Sequence, residues 1–134
     1  MTRNIPETGI VPGLNFAGAD IAAKRLVGYD GANGRNAVAL AATATTKLVG
    51  VTLETIPAAV SSVAVGARDV QRYGEGILTA GGVVAIGDRI TADASGKGIA
   101  TTTEDNTVAG EAISAASGDG VDFMIRLTLG SHVP

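Results

Sequence analysis

The segment from Gly76 to Lys97 reads Gly-Ile-Leu-Thr-Ala-Gly-Gly-Val-Val-Ala-Ile-Gly-Asp-Arg-Ile-Thr-Ala-Asp-Ala-Ser-Gly-Lys. Short runs rich in Ile, Leu, Val and Thr alternate here with turns that contain Gly, Asp and Ser. The same arrangement continues to the closing run Val121-Asp-Phe-Met-Ile-Arg-Leu-Thr-Leu. Strands of this length between such turns are typical of all-β domains. The sequence therefore predicts an all-β fold, either a small compact β-barrel or a rolled sheet.

The first half of the chain shows the same pattern. Asn33-Gly34 is a strong turn signal, because both residues tolerate a positive φ at low cost. After Gly50 the residues alternate between apolar and polar, as in a half-buried strand. The predicted strands of this half lie at 25–29, 36–41, 47–55, 58–65 and 66–74. The run 58–65 is ambiguous, because its alanines favour helix and its valines favour strand, and we interpret it mainly as a strand.

The second half of the sequence repeats the first in outline. Residues 89–100 are similar to residues 25–39, with small differences in length, and residues 107–114 are similar to residues 47–54. In each copy a hairpin leads into a strand with a glycine near its middle, Gly50 in the first copy and Gly110 in the second. The alternative is chance similarity among segments rich in Ala, Gly and Val. A true repeat predicts that the two glycines mark equivalent bends.

Composition limits the size of the core. The chain has 134 residues, which is a single-domain length. Hydrophobic residues make up 46% of it, but Ala and Val dominate, and there are only two Phe, two Tyr and no Trp. Small side chains each bury little apolar area. A domain of this kind gains stability when a partner covers more of its apolar surface.

Residues 1–20 differ from the rest, since prolines and glycines interrupt them every few positions. We interpret 1–20 as an extended N-terminal arm and 21–134 as a single β-rich domain. A poorly ordered terminus is the alternative. The arm nevertheless carries apolar side chains, and we predict that they bind a partner: Ile5, Ile10, Val11, Leu14 and Phe16.

The sequence offers little material for catalysis or metal binding. It has no cysteine, and its one histidine, His132, lies beyond the last predicted strand, near a chain end that is seldom rigid enough for a general base. Gly81-Gly82 lacks the Lys-Ser or Lys-Thr of a phosphate loop. Asp93 stands at the head of a turn, where a carboxylate usually accepts backbone hydrogen bonds. We expect no enzymatic activity, no cofactor and no metal.

Charge and hydropathy exclude other classes. The formal net charge is −3, and basic residues are scattered singly rather than clustered with aromatic residues, which argues against direct binding of nucleic acid. The N-terminal residues lack the apolar core of a signal peptide, and no apolar run approaches the roughly 20 residues of a membrane span. We expect a soluble protein made in the cytoplasm, with no membrane partner.

Four segments, in this order, resemble the capsid decoration, or cement, proteins of tailed bacteriophages. The first, Leu48-Val-Gly-Val-Thr-Leu-Glu-Thr, and the second, Val70-Gln-Arg-Tyr-Gly-Glu-Gly-Ile-Leu, are similar to two strands of that family. The segment 80–97 resembles the family pattern Gly-Asp-x-Val followed by Asp-x-x-Gly-Lys. Residues 109–127 are similar to its closing pair of strands. The resemblance covers residues 40–130, and the ordered set of motifs carries it rather than any single one.

This resemblance implies a structural protein of the virion. Such proteins bind the outer surface of the expanded capsid and stabilise it against the pressure of packaged DNA. The implied partners are the major capsid protein and other copies of the same chain, with a homotrimer expected and a dimer possible. A tail, fibre or baseplate β-domain is one alternative. A small non-catalytic ligand-binding β-module is another, although such modules usually offer more aromatic residues than the 3% present here.

Overall fold

A computed structural model of the protein describes residues 9–34 and 36–133 and contains ten β-strands. In chain order the strands are β1 Ile10–Asn15, β2 Leu26–Tyr29, β3 Ala37–Leu40, β4 Leu48–Thr52, β5 Arg68–Gln71, β6 Glu75–Thr79, β7 Arg89–Ala92, β8 Gly98–Ala100, β9 Thr107–Ala112 and β10 Asp122–His132. The all-β prediction is confirmed. Within the same ranges, no helix has the length and apolar character needed to cross a membrane.

The strands form two sheets with the same internal order. Strands β1 to β5, which we call the first repeat, close into a barrel in the order β3-β2-β4-β5-β1, with β1 also paired to β3. Strands β6 to β10, the second repeat, form a five-stranded sheet in the order β8-β7-β9-β10-β6. Replacing each strand of the first order by the strand five places later gives the second order. The two halves of the chain therefore share one topology.

The registers of the two sheets also correspond. In the first repeat Val27 lies opposite Gly50, and in the second Ile90 lies opposite Gly110. The parallel pairing that closes the first barrel, Asn15 with Val38, has its counterpart in an isolated parallel bridge between Ala80 and Gly98. A second pair of bridges, Ile21 with Ile56 and Val84 with Ala116, matches in the same way. The predicted repeat is confirmed, although its register sets Leu26, not Arg25, against Arg89.

Gly50 and Gly110 occupy equivalent close approaches between neighbouring strands. A Cβ atom built at Gly50 would overlap the carbonyl oxygen of Gln71 on β5, and one built at Gly110 would overlap that of Arg126 on β10. Both obstacles are backbone atoms of a hydrogen-bonded strand, so they cannot rotate away. Only glycine fits at these two positions without displacing the neighbouring strand.

Part of the predicted arm is a strand of the first barrel. Residues Ile10–Asn15 pair with β5 along four residues and with β3 at Leu14 and Asn15. The prediction of a separate arm over 1–20 is therefore wrong from Ile10 onward, while residues 1–8 lie outside the described ranges. Prolines and glycines suggested a loop, but Pro12 is tolerated because the pairing with β3 begins only beyond it.

Two smaller predictions also differ from the structure. The run 58–65 is not a strand: Val60 and Val63 form a single bridge around Ser61 and Ser62, both of which have positive φ. His132 was expected beyond the last strand, but β10 extends to include it. Irregular pairing between Leu127 and Ser131 lets β10 continue along β9.

Two buried clusters form the core. One lies inside the first barrel and consists of Ile21, Val27, Val38, Val49, Ile56 and Val70, with Val11 packed against it. The other is larger and joins the repeats, because it combines Leu26, Leu48 and Val51 of the first repeat with Leu78, Ile90, Phe123 and Ile125 of the second. Strands β2 and β4 are therefore buried on both faces, one toward their own barrel and one toward the second repeat.

Substitution of the two equivalent glycines tests the duplication. Gly50→Val and Gly110→Val should each lower the free energy of unfolding by well over about 1 kcal/mol, because the new side chain displaces a paired strand. Chemical denaturation of the purified variants measures the change. Gly82→Val is the matched control, since a Cβ at Gly82 meets no atom within 4 Å. Near-neutral effects at both Gly50 and Gly110 would contradict the equivalence.

Truncation tests the corrected role of the N-terminal segment. Deleting residues 1–18 should unfold the first barrel, because it removes β1 and with it the pairing of both β3 and β5. Deleting residues 1–8 removes none of the described strands and serves as the control. Circular dichroism and hydrogen exchange would compare the two. A cooperative native-like melt of the longer truncation would contradict the assignment of β1 to the barrel.

Candidate interaction surfaces

The described residues lack the side-chain clusters that bind metal ions. No group of three or more His, Cys, Asp or Glu side chains within them could hold a metal ion. Asp93 accepts hydrogen bonds from the backbone N–H groups of Ser95 and Lys97 at 2.8 and 2.9 Å, which is the structural role expected at the head of a turn.

A buried asparagine organises one end of the first barrel. The side chain of Asn15 donates to the carbonyl oxygens of Ala19 at 2.9 Å and Ile56 at 3.3 Å, and it accepts from the N–H of Ala17 at 2.9 Å. It thus ties the β1–β2 loop to the β4–β5 loop. The sequence analysis did not single out Asn15, because nothing local distinguishes an Asn at a strand end from an ordinary turn residue.

The β4–β5 loop carries an apolar projection that we call the valine hairpin, residues 57–67. Val60 and Val63 exchange backbone hydrogen bonds of 2.9 Å, and both are about two-thirds exposed, at 67% and 65%. Val65 beside them is 55% exposed. The base of the hairpin is fixed, since the N–H of Ala58 donates to Asp20 at 2.7 Å. The hairpin therefore projects from a base held by a hydrogen bond and has an apolar tip.

The valine hairpin belongs to the first repeat alone. Gly50 and the residue it approaches, Gln71, are 21 residues apart in sequence. The equivalent pair in the second repeat, Gly110 and Arg126, is 16 residues apart. The second repeat makes the same strand connection without the extra five residues, so the fold does not require them. Both turn residues of the hairpin, Ser61 and Ser62, have positive φ. Such backbone strain in a dispensable loop is typical of functional segments.

The structure places four of the five predicted partner-binding residues. Ile10, Val11 and Leu14 lie on β1, Phe16 follows it, and all four are half-buried. Val11 packs against the core of the first barrel, which gives it a structural role. Phe16 lies next to the foot of the valine hairpin, because the N–H of Ala59 donates to the carbonyl of Ala17 at 2.8 Å. Ile5 lies outside the described residues.

The two repeats are joined by a contact that we call the seal, in which the outer face of β2 and β4 lies over one end of the second repeat. We call that end the second mouth, and Ala92, Gly96 and Leu127 lie there. The outer face of β2 and β4 covers this mouth, with Leu26 and Val51 packed into the shared core. The N–H of Leu26 donates to the carbonyl of Gly96 at 2.7 Å. A further hydrogen bond runs from the N–H of Thr107 to the carbonyl of Ala44 at 2.8 Å.

An ion pair also crosses between the repeats. Lys24 Nζ lies 2.8 Å from Asp122 Oδ2, and the Thr79 hydroxyl donates to Asp122 Oδ1 at 2.8 Å. The hydrogen bond from Lys24, followed by that from Thr79, lowers the pKa of Asp122 below its ordinary value of 3.8. Because the carboxylate form is favoured only in the folded state, the pair stabilises the folded protein wherever Asp122 is ionised.

The second repeat leaves exposed the surface that the first repeat uses for the seal. A cleft of about 520 Å³ is lined by Asp88, Arg89, Thr101 and Glu111, among others. Arg89 and Glu111 face each other across β7 and β9, at the positions where β2 and β4 carry Leu26 and Val51. Among the described residues, neither side chain makes an ion pair. At these equivalent positions the first repeat has an apolar pair that packs on the second repeat, and the second repeat has a charged pair on an exposed face.

Comparison with known proteins identifies the family of this chain. The model of the phage cement protein family matches residues 13–128, and the chain belongs to that family. It is therefore a phage structural protein, a component of the virion. No curated protein matches the sequence.

One solved structure shows the same fold. The chain is similar to the N base of the head fibre gp8.5 of bacteriophage phi29, with a TM-score of 0.68 and 18% sequence identity. The alignment covers 89% of this chain and 94% of the fibre chain. At that identity the likeness shows the architecture alone. The fold nonetheless extends through both repeats, since nearly the whole of each chain is matched.

The Lys24–Asp122 pair predicts how stability depends on pH. Asp122→Asn should lower the melting temperature at pH 7, because the ionised side chain is lost. The folded-state pKa lies below 3.8, so the contribution is fully present above that value and is lost as the pH falls through the folded-state pKa. The difference from the parent protein should therefore shrink in acid.

Thermal melts of both proteins across the acid range measure this effect. Asp119→Asn is the control, because Asp119 pairs with Lys97 inside the second repeat and does not bridge to the first. A gap between Asp122→Asn and the parent that stays constant through the acid range would contradict the role of the pair.

Proposed function

We propose that this protein binds the outer surface of the expanded phage capsid and stabilises the shell against the pressure of packaged DNA. The observation that carries the proposal is membership of the phage cement protein family across both repeats. The major capsid protein is the proposed partner, with self-association of the chain, as a homotrimer or a dimer, around symmetry positions of the shell. Many weak contacts suffice, because multivalent attachment multiplies their effect.

We propose the valine hairpin, together with Phe16 beside it, as the part that contacts the coat protein. Val60, Val63 and Val65 expose apolar surface that the fold of the second repeat shows to be dispensable. Burying such side chains against a partner is favourable by roughly 25 cal/mol per Å² of apolar area. The other predicted N-terminal contacts, Ile5, Ile10, Val11 and Leu14, remain proposals, and those on β1 act only through their exposed edges.

A second candidate function is favoured by the structural neighbour, which is the base of a head fibre. In that case the chain would attach to the head and carry a projecting segment rather than brace the shell. The two functions differ in their effect on the capsid: a cement protein raises the resistance of the shell to heat, whereas a fibre base binds without changing it. The same assay therefore separates them.

The assay adds purified protein to expanded shells made by its phage after deletion of this gene, so that the shells lack the protein. We expect saturable binding at a copy number that matches a symmetry position of the shell, and a higher temperature of shell disruption. Binding without added heat resistance would favour the fibre base. No binding to expanded shells would contradict both.

The double variant Val60→Ser/Val63→Ser tests the contact surface. It should fold normally, because both valines project from the body, and its Kd for shells should rise by about tenfold or more as apolar burial is lost. Val83→Ser/Ile86→Ser is the matched control, since Val83 and Ile86 are equally exposed, at 72% and 71%, on a loop of the second repeat. Equal losses in both variants would contradict the specific role of the hairpin.

A further inference from the structure

Because of the duplication, each repeat has both an outer face and a mouth, and the seal joins only one face to one mouth. Within the chain, the outer face of the first repeat covers the mouth of the second. The outer face of the second repeat and the mouth of the first remain open. A contact between two different patches is heterologous, and such a contact continues from copy to copy until a ring closes. The open pair of surfaces can therefore be compared, position by position, with the pair that is already joined.

The open end of the first barrel, the first mouth, is a small cleft of about 140 Å³ lined by Tyr29, Asn36 and Arg72, among others. Asn36 has a φ of +65° and Gly96 of the second mouth has a φ of +73°, so the two aligned positions share a left-handed backbone conformation. In the second mouth the corresponding turn receives the hydrogen bond from Leu26. In the first mouth that turn carries no neighbour from the described residues of the second repeat.

The side chains at the first mouth are basic. Arg72 occupies the position that Leu127 has in the second repeat, and its Nη1 donates to the hydroxyl of Tyr29 at 3.0 Å. The Nε of Arg72 is buried with no hydrogen-bond partner. Lys47 occupies the position of Thr107, the residue whose N–H reaches Ala44 across the seal, and its side chain is exposed.

Two of the matching positions on the outer face of the second repeat are acidic, while Arg89, at the position of Leu26, is basic. Glu111 stands where Val51 stands in the seal. Glu104 stands where Ala44 stands, because the matched residues Leu40 and Gly50 are ten residues apart, as are Ala100 and Gly110. Applying the geometry of the seal to two copies therefore brings Glu104 of one toward Lys47 of the other, and Glu111 toward Arg72. Opposite charges meet at both points.

We propose that a second copy of this chain docks its first mouth onto the cleft of the second repeat, repeating between copies the contact that joins the repeats within one copy. Leu26 and Val51 make the contact permanent inside the chain, whereas Arg89 and Glu111 make it polar and reversible between chains. Charged contacts of this kind set register and partner choice. The inference deepens the self-association part of the proposed function and names the surfaces that carry it.

Reciprocal charge reversal tests the proposal. The cleft variant is Glu104→Lys/Glu111→Lys, and the mouth variant is Lys47→Glu/Arg72→Glu. Analytical ultracentrifugation of the full chain should show self-association of the parent protein that weakens with salt. Each variant alone should associate about tenfold or more weakly, because like charges then face each other. An equimolar mixture of the two variants should recover association as alternating pairs, since the mouth of each variant then meets a cleft of opposite charge on the other.

Two controls separate this contact from effects on folding. Lys47→Glu alone leaves the hydrogen bond of Arg72 to Tyr29 intact, so it should weaken association without lowering the melting temperature. Glu54→Gln neutralises a carboxylate beyond β4 that pairs with Arg68 at 3.7 Å, away from the cleft and the first mouth, and should leave association unchanged. A parent chain that stays monomeric up to its solubility limit would overturn the proposal, as would a mixture that fails to associate.

The test is independent of the shell. Failure of the parent protein to bind capsids contradicts the proposed function, whatever its state in solution. Association that persists in both charge-reversed variants contradicts this inference, whatever the shells do.

Discussion

The structure depends on the burial of both faces of β2 and β4. A strand in a small barrel normally presents one face to its own core and the other to water. Here Val27 points into the first barrel while Leu26 and Val51 enter the core shared with the second repeat. Because the aromatic content is only 3%, aliphatic side chains fill most of each interior, and Phe123 is the one buried aromatic residue within 9–34 and 36–133. Stacking one repeat on the mouth of the other supplies the missing apolar contact.

This arrangement explains why two copies of one topology carry different surfaces. Once the first repeat had its outer face committed to the seal, the corresponding face of the second was free to become polar, with Arg89 and Glu111 in place of Leu26 and Val51. The β4–β5 loop of the first repeat is likewise longer by five residues than its counterpart and presents the valine hairpin. A scaffold that needs the same registers in both repeats thus leaves separate surfaces exposed: the valine hairpin, which we propose for the coat protein, and the cleft and first mouth, which we propose for other copies.

Local patterns in the sequence were sufficient for strands β2 to β5, for the Asn33-Gly34 turn and for the repeat. The Asn33-Gly34 turn, the alternation after Gly50, and the matching glycines Gly50 and Gly110 all depend on residues close in sequence or on spacing within one strand. The equivalence of the two glycines is confirmed by their identical close approaches to backbone carbonyl oxygens. The family, too, was recognisable from the order of short motifs over 40–130, and the matched region is 13–128.

What the sequence did not reveal depends on distant pairing. Residues Ile10–Asn15 resemble a loop by composition and become a strand only because β3 and β5 lie on either side. The tip of the run 58–65 reads as a strand by its valines, yet two serines with positive φ fold it back on itself. The cleft and the first mouth can be recognised only when the two repeats are superposed. The superposition shows that Glu111 is equivalent to Val51 and Arg72 to Leu127, two residues of the seal. No pattern within a window of sequence contains that relation.

An electron cryo-microscopy reconstruction of expanded shells saturated with the protein would test this account most directly. The account predicts density for the valine hairpin against the coat protein. It also predicts neighbouring copies joined with the first mouth of one on the second-repeat cleft of the next, in the relation that the two repeats have within a chain. Copies that touch the shell through the second repeat, or that contact one another through unrelated surfaces, would contradict it.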